Sequence, residues 1–240
     1  KEMHPNTNYG YNSYDYPRVY PLVASRSCPY QCTFCYHDNN FYRARSMDNI
    51  MEEIKLVVEK YRVNTLIIQD EMFALHKDRV ADFCNRLIAL SNEMGTQIKW
   101  FAQMKVDRVD KDLLIKMKSA GCVKIGYGFE SFSQQVLNSM KKMIKKEQIK
   151  FAFYETLKLK MGVQANFIFG DIAETKETAY ETLNWWKENA RGQLYMDFIQ
   201  PYPDSAIYRH SLKKGIIKDR LKFLRTLYER GNIVMNLTDN

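Results

Sequence analysis

The sequence predicts an α/β fold, a partial (β/α)6 barrel of parallel strands that is TIM-like in its repeat. Three observations predict it. Apolar, β-branched runs of strand length alternate six times with amphipathic helical stretches. Helices of roughly 10–15 residues between strands imply parallel pairing with right-handed crossovers. Polar residues gather where the later strands finish, as they do at the mouth of a (β/α) barrel.

The elements follow in order. "VYPLVAS" (Val19–Ser25) reads as the first strand. Ser46 caps a helix whose apolar positions Met47, Ile50, Met51, Ile54, Val57, Val58 and Tyr61 keep helical spacing. "NTLIIQD" (Asn64–Asp70) is the second strand, and Val80, Phe83, Cys84, Leu87 and Leu90 mark the next helix. "IKWFAQM" (Ile98–Met104) is the third strand; Asp110 then caps a short helix that stops at Ala120-Gly121. "CVKIGYGFE" (Cys122–Glu130) is the fourth, with helical patterns over Ser133–Met140 and Lys146–Met161. "VQANFIFG" (Val163–Gly170) is the fifth, and Thr175 caps the helix after it, where Trp185 and Trp186 read as barrel packing. "QLYMDFIQ" (Gln193–Gln200) is the sixth.

Most of these strands are apolar on both faces, as a helix-covered sheet requires. Two architectures fit: an open doubly wound sheet, or a barrel left incomplete by having six units. The polar strand ends favour the barrel. They are Asp70 and Glu71, Gln103 and Lys105, Glu130, Asp171 and Glu174, and Gln200. The expected organisation is a linker or N-terminal extension over 1–18, a core over 19–212 and a helical segment over 213–240. A start at Lys1 and an end at "NLTDN" suggest an excerpt of a longer protein.

With 240 residues, 45% hydrophobic and 27% charged, the chain suits one soluble domain with a real core. No apolar run approaches the ~20 residues that span a bilayer. The net charge of +8 is spread over lysine-rich helical stretches such as "KKMIKKEQIK", read as a solvated face. No strand interleaves basic and aromatic residues, so a nucleic-acid partner is not expected.

Five cysteines, three of them clustered, do not form a secreted disulfide framework; they point to a reducing, cytoplasmic setting and a metal site. Cys84 and Cys122 fall in apolar patterns and read as core. Cys28, Cys32 and Cys35 have the spacing C-x3-C-x2-C, on a loop between the first strand and the first helix. Three readings compete for them. His37 completes a Cys3His zinc set, the mark of a binding module. Alternatively the three are incidental buried thiols. The third reading is an iron–sulfur cubane, which normally takes four thiolates; with three, one iron keeps a coordination site for a ligand.

"SRSCPYQCTFC" resembles the cluster loop of the radical S-adenosylmethionine (radical SAM) enzymes, and of their cobalamin-dependent subgroup in particular. The likeness covers nearly the whole chain. "QDEMF" (Gln69–Phe73), "IGYGFES" (Ile125–Ser131), "FIFGDIAET" (Phe167–Thr175) and "QPYPDSAIY" (Gln200–Tyr208) resemble the motifs after later strands. The subgroup commonly has glycine where Ser27 and Asp204 stand, threonine at Ser205, and proline and glycine at Ile172 and Ala173.

The resemblance implies that Cys28, Cys32 and Cys35 ligate a [4Fe-4S] cluster whose open iron takes SAM. The reduced cluster cleaves SAM to methionine and a 5′-deoxyadenosyl radical, which takes hydrogen from an organic small-molecule substrate. It implies roles for further residues too. Phe34 packs beside the cluster, with its backbone near the adenine. Asp70 and Glu71 accept from the SAM amino group. Lys105, with Gln103 as a second candidate, meets the carboxylate. Glu130 and Ser131 hold ribose or methionine polar atoms. Tyr36 and His37 either pack the loop or act near substrate. Flavodoxin or ferredoxin is the expected electron donor. Cobalamin is expected only through a domain that precedes Lys1. A tRNA methylthiotransferase is the alternative enzyme, but its extra cluster domain and RNA-binding domain are not in these residues.

Overall fold

The computed structural model describes residues 18–36, 41–189, 194–230 and 235–238. Its strands are β1 (Val19–Leu22), β2 (Ser25–Arg26), β3 (Arg43–Ala44), β4 (Thr65–Ile68), β5 (Lys99–Met104), β6 (Cys122–Glu130), β7 (Gly162–Phe169) and β8 (Leu194–Phe198). Six of them form one sheet in the order β1-β4-β5-β6-β7-β8, every pair parallel. Spatial order follows chain order with no reversal. A doubly wound sheet reverses at a switch point, so this is the winding of a barrel. The sheet ends at β1 and β8, which leaves the barrel partial.

The first expected strand divides in two. β1 ends at Leu22, and Ser25–Arg26 leaves the sheet to pair antiparallel with Arg43–Ala44. That ribbon is the stem of the cysteine-bearing excursion, which explains the break.

The helices are α1 (Met47–Tyr61), α2 (Lys77–Glu93), α3 (Lys111–Ser119), α4 (Gln134–Ser139), α5 (Lys146–Lys158), α6 (Lys176–Asn189), α7 (Ala206–Lys213) and α8 (Arg220–Arg230). The expected caps form: Ser46 accepts from the Asn49 N–H, Asp110 from Leu113, and Thr175 from Thr178. No described helix is long and apolar enough to cross a membrane.

Packing divides the two faces of the sheet. On β6, Ile125, Tyr127 and Phe129 join the main core under the helices. Trp185 of α6 stacks on Phe132 at 4.5 Å and meets Phe129, Phe153 and Phe167. Cys84 and Cys122 are buried in the same core. The alternate positions of β6, Lys124, Gly126, Gly128 and Glu130, face the other way. With Gln103, Gln164 and Asn166 they make the concave face polar, contrary to the expectation of strands apolar on both sides. A closed barrel fills its interior with apolar layers, whereas this open one keeps a cleft with polar groups on its wall.

Two departures from the subgroup's usual residues acquire a physical meaning. Ser27 and Asp204 both have φ of 68°, where an L-residue is disfavoured and glycine is not. Ala173, at another position where the subgroup has glycine, is not among the positive-φ residues. We therefore expect Ser27→Gly to raise stability by about 1 kcal/mol, the strain relieved less the entropy that glycine adds to the unfolded chain. Urea unfolding of Ser27→Gly beside Ser27→Ala checks it. A gain from alanine as well would remove backbone strain as the cause.

Candidate active site

The cysteine loop is held at both ends. At its entry, Asp70 accepts from the Ala24 N–H at 2.7 Å and the Ser25 hydroxyl at 2.5 Å. Arg45 and Arg79 donate to the Val23 and Ala24 carbonyls. Further on, the Thr33 N–H donates to the Met140 carbonyl and the Ile207 N–H to the Thr33 carbonyl, both at 3.0 Å. Phe34 packs against Val136, Met140, Ile199, Ile207 and Leu237, a small second core. The loop is thus clamped between the segment after β6 and the segment after β8.

The clamp places Cys28, Cys32 and Cys35 on the wall of one cavity of about 570 Å³. Across it stand Glu71, Gln103, Lys105, Glu130, Lys142 and Asn166. These come from the C-terminal ends of β4 to β7 and the turn after α4.

Glu130, which is buried, and Lys142, which is largely so, form an ion pair at 2.5 Å. The pairing of β6 with β7 shifts register between Gly128 and Glu130, and Glu130 itself has φ of 60°. Such an irregularity re-aims a side chain, and here the carboxylate folds back over Gly128. A Cβ on Gly128 would collide with Glu130 Oε1 and stand 2.7 Å from Lys142 Nζ, so any larger residue there makes the pair shift.

Burial pushes the Cys28 thiol up. Cys35 is pushed up by the hydrogen bond it donates to Cys32, and by burial. That same bond lowers Cys32, with help from the Lys142 charge. Burial pulls Lys142 down, but Glu130 and Cys32 outweigh it and its ammonium is held above the usual lysine range. Lys105 is lowered, chiefly by burial, with Asp107 opposing. A firmly charged lysine therefore stands between a carboxylate and the thiols.

The structure brings together Cys28, Cys32, Cys35, Glu71, Gln103, Lys105 and Glu130. Lys105 is already engaged, donating to Asp107 at 2.9 Å and to the Met143 carbonyl at 3.1 Å, with the Tyr30 ring at 4.6 Å. Asp70 lines only a smaller adjoining cavity, of about 310 Å³, and its carboxylate is taken up by the loop stem. Ser131 is buried away from the cavity, bonded to Thr182 and the Ser133 N–H. The Phe34 side chain lies in the second core. Asp171 and Glu174 bond the backbone of their own turn, at Ala173 and Gly170, and Gln200 is buried, so the last two strand ends do not converge with the others. Tyr36 is 59% exposed on the cavity rim, so of its two expected places it takes the one beside the cavity; His37 lies outside the described residues.

Two cavity residues escape the sequence reading. Lys142 is hidden in a lysine run that reads as solvated. Asn166 has a faint signal, a second amide two residues after Gln164 on one strand face.

The family model for the Radical SAM superfamily matches residues 22–186. The chain belongs to that superfamily. Among curated relatives, an uncharacterized methyltransferase of Pyrococcus horikoshii is 25% identical over 82% of this chain and 42% of its own length. An anaerobic magnesium-protoporphyrin IX monomethyl ester cyclase of Cereibacter sphaeroides is 29% identical over 90% of this chain and 36% of its own. The chain thus spans about two fifths of the length of such relatives. Among solved structures, the radical SAM methyltransferase TsrM from Kitasatospora setae, with cobalamin and a [4Fe-4S] cluster bound, superimposes with a TM-score of 0.73. It is 14% identical and aligns over 82% of this chain and 38% of its own, a likeness of fold.

A radical SAM domain implies a [4Fe-4S] cluster and SAM, and the residues fit them. Three soft thiol donors share one cavity with a glycine cradle and a fixed cation. Among the described residues no three His, Cys, Asp or Glu side chains close on a point that a single ion would need.

Gly128→Ala should displace the Glu130–Lys142 pair while leaving the sheet intact. The expected outcome is a loss of about 1–2 kcal/mol of stability, the scale of one methyl forced into a packed site. Far-UV circular dichroism and urea unfolding check it. An unchanged midpoint would show that the pair adapts.

Proposed function

We propose that this chain is the radical SAM core, over residues 19–212, of an enzyme that acts on an organic small molecule. Its thiols Cys28, Cys32 and Cys35 hold the cluster, and the cavity beside them holds SAM. The observation that carries the reading is that three thiols and the Glu130–Lys142 pair share one cavity at the C-terminal ends of parallel strands. When bound, the cluster supplies the electron that cleaves SAM and starts radical chemistry on the substrate.

The chain's own residues bind, orient and exclude water. Lys142 offers a fixed positive charge to the SAM carboxylate, the role that the family resemblance implied for Lys105. Lys105 instead holds Tyr30 and the 143 turn in place. Glu130 keeps Lys142 aimed. Glu71 and Gln103 offer acceptors for the amino group. Met72 and Met104 in the wall keep water from a reactive centre.

Methyltransferase relatives, and cobalamin-bound structures of the same fold, support methyl transfer or ring chemistry assisted by cobalamin. The cobalamin would sit on a domain outside these residues. Flavodoxin or ferredoxin in the cytoplasm is the proposed electron source.

Cys32→Ala should abolish iron retention and SAM cleavage and leave the barrel folded, because the loop lies at the mouth. Iron content, 5′-deoxyadenosine formation and circular dichroism check it; an unfolded variant would make the loop structural instead. Lys142→Met should destabilise by about 3 kcal/mol, by leaving Glu130 buried and unpaired. The Glu130→Gln/Lys142→Met double variant should regain most of that stability yet bind SAM more than tenfold more weakly. Equal SAM affinity in the double variant would remove Lys142 from the binding site.

A further inference from the structure

The positive charge of this chain is concentrated in two segments. Residues 141–150 hold five lysines against Glu147, and residues 209–225 hold seven lysines and arginines against Asp219. With a net charge of +8, the rest of the chain is slightly acidic. All seven basic side chains of the second segment are exposed, as are Lys141, Lys145 and Lys150 of the first. The acids beside them are engaged in part. Asp219 accepts from the Lys222 N–H at 3.0 Å, Asp204 meets Arg209 at 3.3 Å, and Glu181 holds Lys146 at 2.6 Å.

The two segments meet at the cysteine loop. Thr33, between Cys32 and Cys35, donates to the Met140 carbonyl just before the first, and accepts from the Ile207 N–H just before the second. Lys141 and Met143 have φ of 51° and 55°, and the turn they shape leaves Met143 73% exposed. Cys32 Sγ lies 4.0 Å from the Lys141 carbonyl oxygen. Cys32 is buried and Lys141 exposed, so here one residue stands between the sulfur and solvent.

The cavity side of the loop belongs to SAM and substrate in the reading above. Each SAM cleaved takes up one electron, and electron transfer fades steeply with distance. The donor must therefore come against the outer side of the loop, which the 141–145 turn covers. There it meets an apolar side chain, Met143, ringed by cations. Methionine at the centre and charge at the rim suit a protein interface. Such a rim also steers an oppositely charged partner to the right place.

We propose that the turn 140–146, with the basic segment after Ile207 beside it, is the docking face for an acidic electron-carrier protein. This rests on the radical SAM reading above. The carrier loses one electron; SAM takes it up as its C–S bond breaks, and no atom passes between the two proteins. Lys141 and Lys145 orient the carrier and do not touch SAM.

Two acidic carriers serve as probes, a flavodoxin and a [2Fe-2S] ferredoxin. Calorimetric titration of the full protein at low salt should show at least one of them binding, and salt at about 0.5 M should weaken that binding more than tenfold. Lys141→Glu/Lys145→Glu should weaken it about tenfold. Lys118→Glu/Lys160→Glu makes the same change of charge where β6 and β7 begin, at the far end of the sheet, and should leave binding within about twofold. With the carrier as reductant, 5′-deoxyadenosine formation should fall with carrier affinity in Lys141→Glu/Lys145→Glu. With dithionite, which needs no docking face, it should match the parent.

Equal losses in the two charge variants would make the attraction a matter of net charge and overturn the proposal. So would a parent that binds neither carrier, or one whose Lys141 and Lys145 bind phosphatidylglycerol vesicles in the carrier's place. Should Lys141→Glu/Lys145→Glu hold less iron than the parent, Lys213→Glu/Lys218→Glu on the second segment replaces it; carrier binding equal to the parent's there overturns the docking face. A parent that cleaves no SAM even with dithionite would sink the radical SAM reading itself. SAM cleavage with dithionite, and carrier binding indifferent to Lys141 and Lys145, would remove the docking face alone.

Discussion

The buried pair of Glu130 and Lys142 is the interaction on which the site depends. Two opposite charges out of water are costly unless they meet with good geometry. Here the geometry needs a register shift in β6, a positive φ at Glu130 and a glycine at 128. The pair in turn leaves a fixed cation beside thiols that must become thiolates to hold a cluster. Lys142 helps Cys32 give up its proton, and Cys32 helps Lys142 keep its own. Each group makes the other's charged form easier to hold.

The second requirement is that a loop of more than a dozen residues arrive at that cation in one shape. The chain meets it with contacts from distant segments. Asp70 pins the stem, Phe34 packs half-buried on a small core built from α4, α7 and the 235–238 segment, and Thr33 bonds in both directions. A loop with a real core of its own loses less entropy when it takes up a ligand, since its backbone is already ordered. The sheet contributes by its order: strands laid down in sequence bring Glu71, Gln103, Glu130 and Asn166 to one mouth.

Much of this is legible in the sequence. Strands, caps and the cysteine spacing are local patterns, and apart from the divided first strand the structure has strands and caps within a residue or two of where the periodicities put them. β6 spans Cys122–Glu130, as read. Glu130 is legible through its flanking glycines. What is not legible depends on partners far along the chain. Asp70 looks like any acid at a strand end until its bond to Ser25, 45 residues earlier, is seen. Lys142 sits among like neighbours. Lys141 and Met143 on either side of it both have positive φ, and no residue type there announces that turn. The alternation of Gln164 and Asn166 is present, but a short, mostly apolar strand hides a polar face of two residues.

The central claim is that three thiols beside a fixed cation hold a cubane with one iron left for SAM. The direct measurement is the electron paramagnetic resonance spectrum of the anaerobically reconstituted, reduced protein, recorded with and without SAM alongside its metal content. The account predicts about four irons per chain, as a cubane requires, and a signal that changes on adding SAM. A colourless protein holding one zinc, or a cluster signal indifferent to SAM, would contradict it.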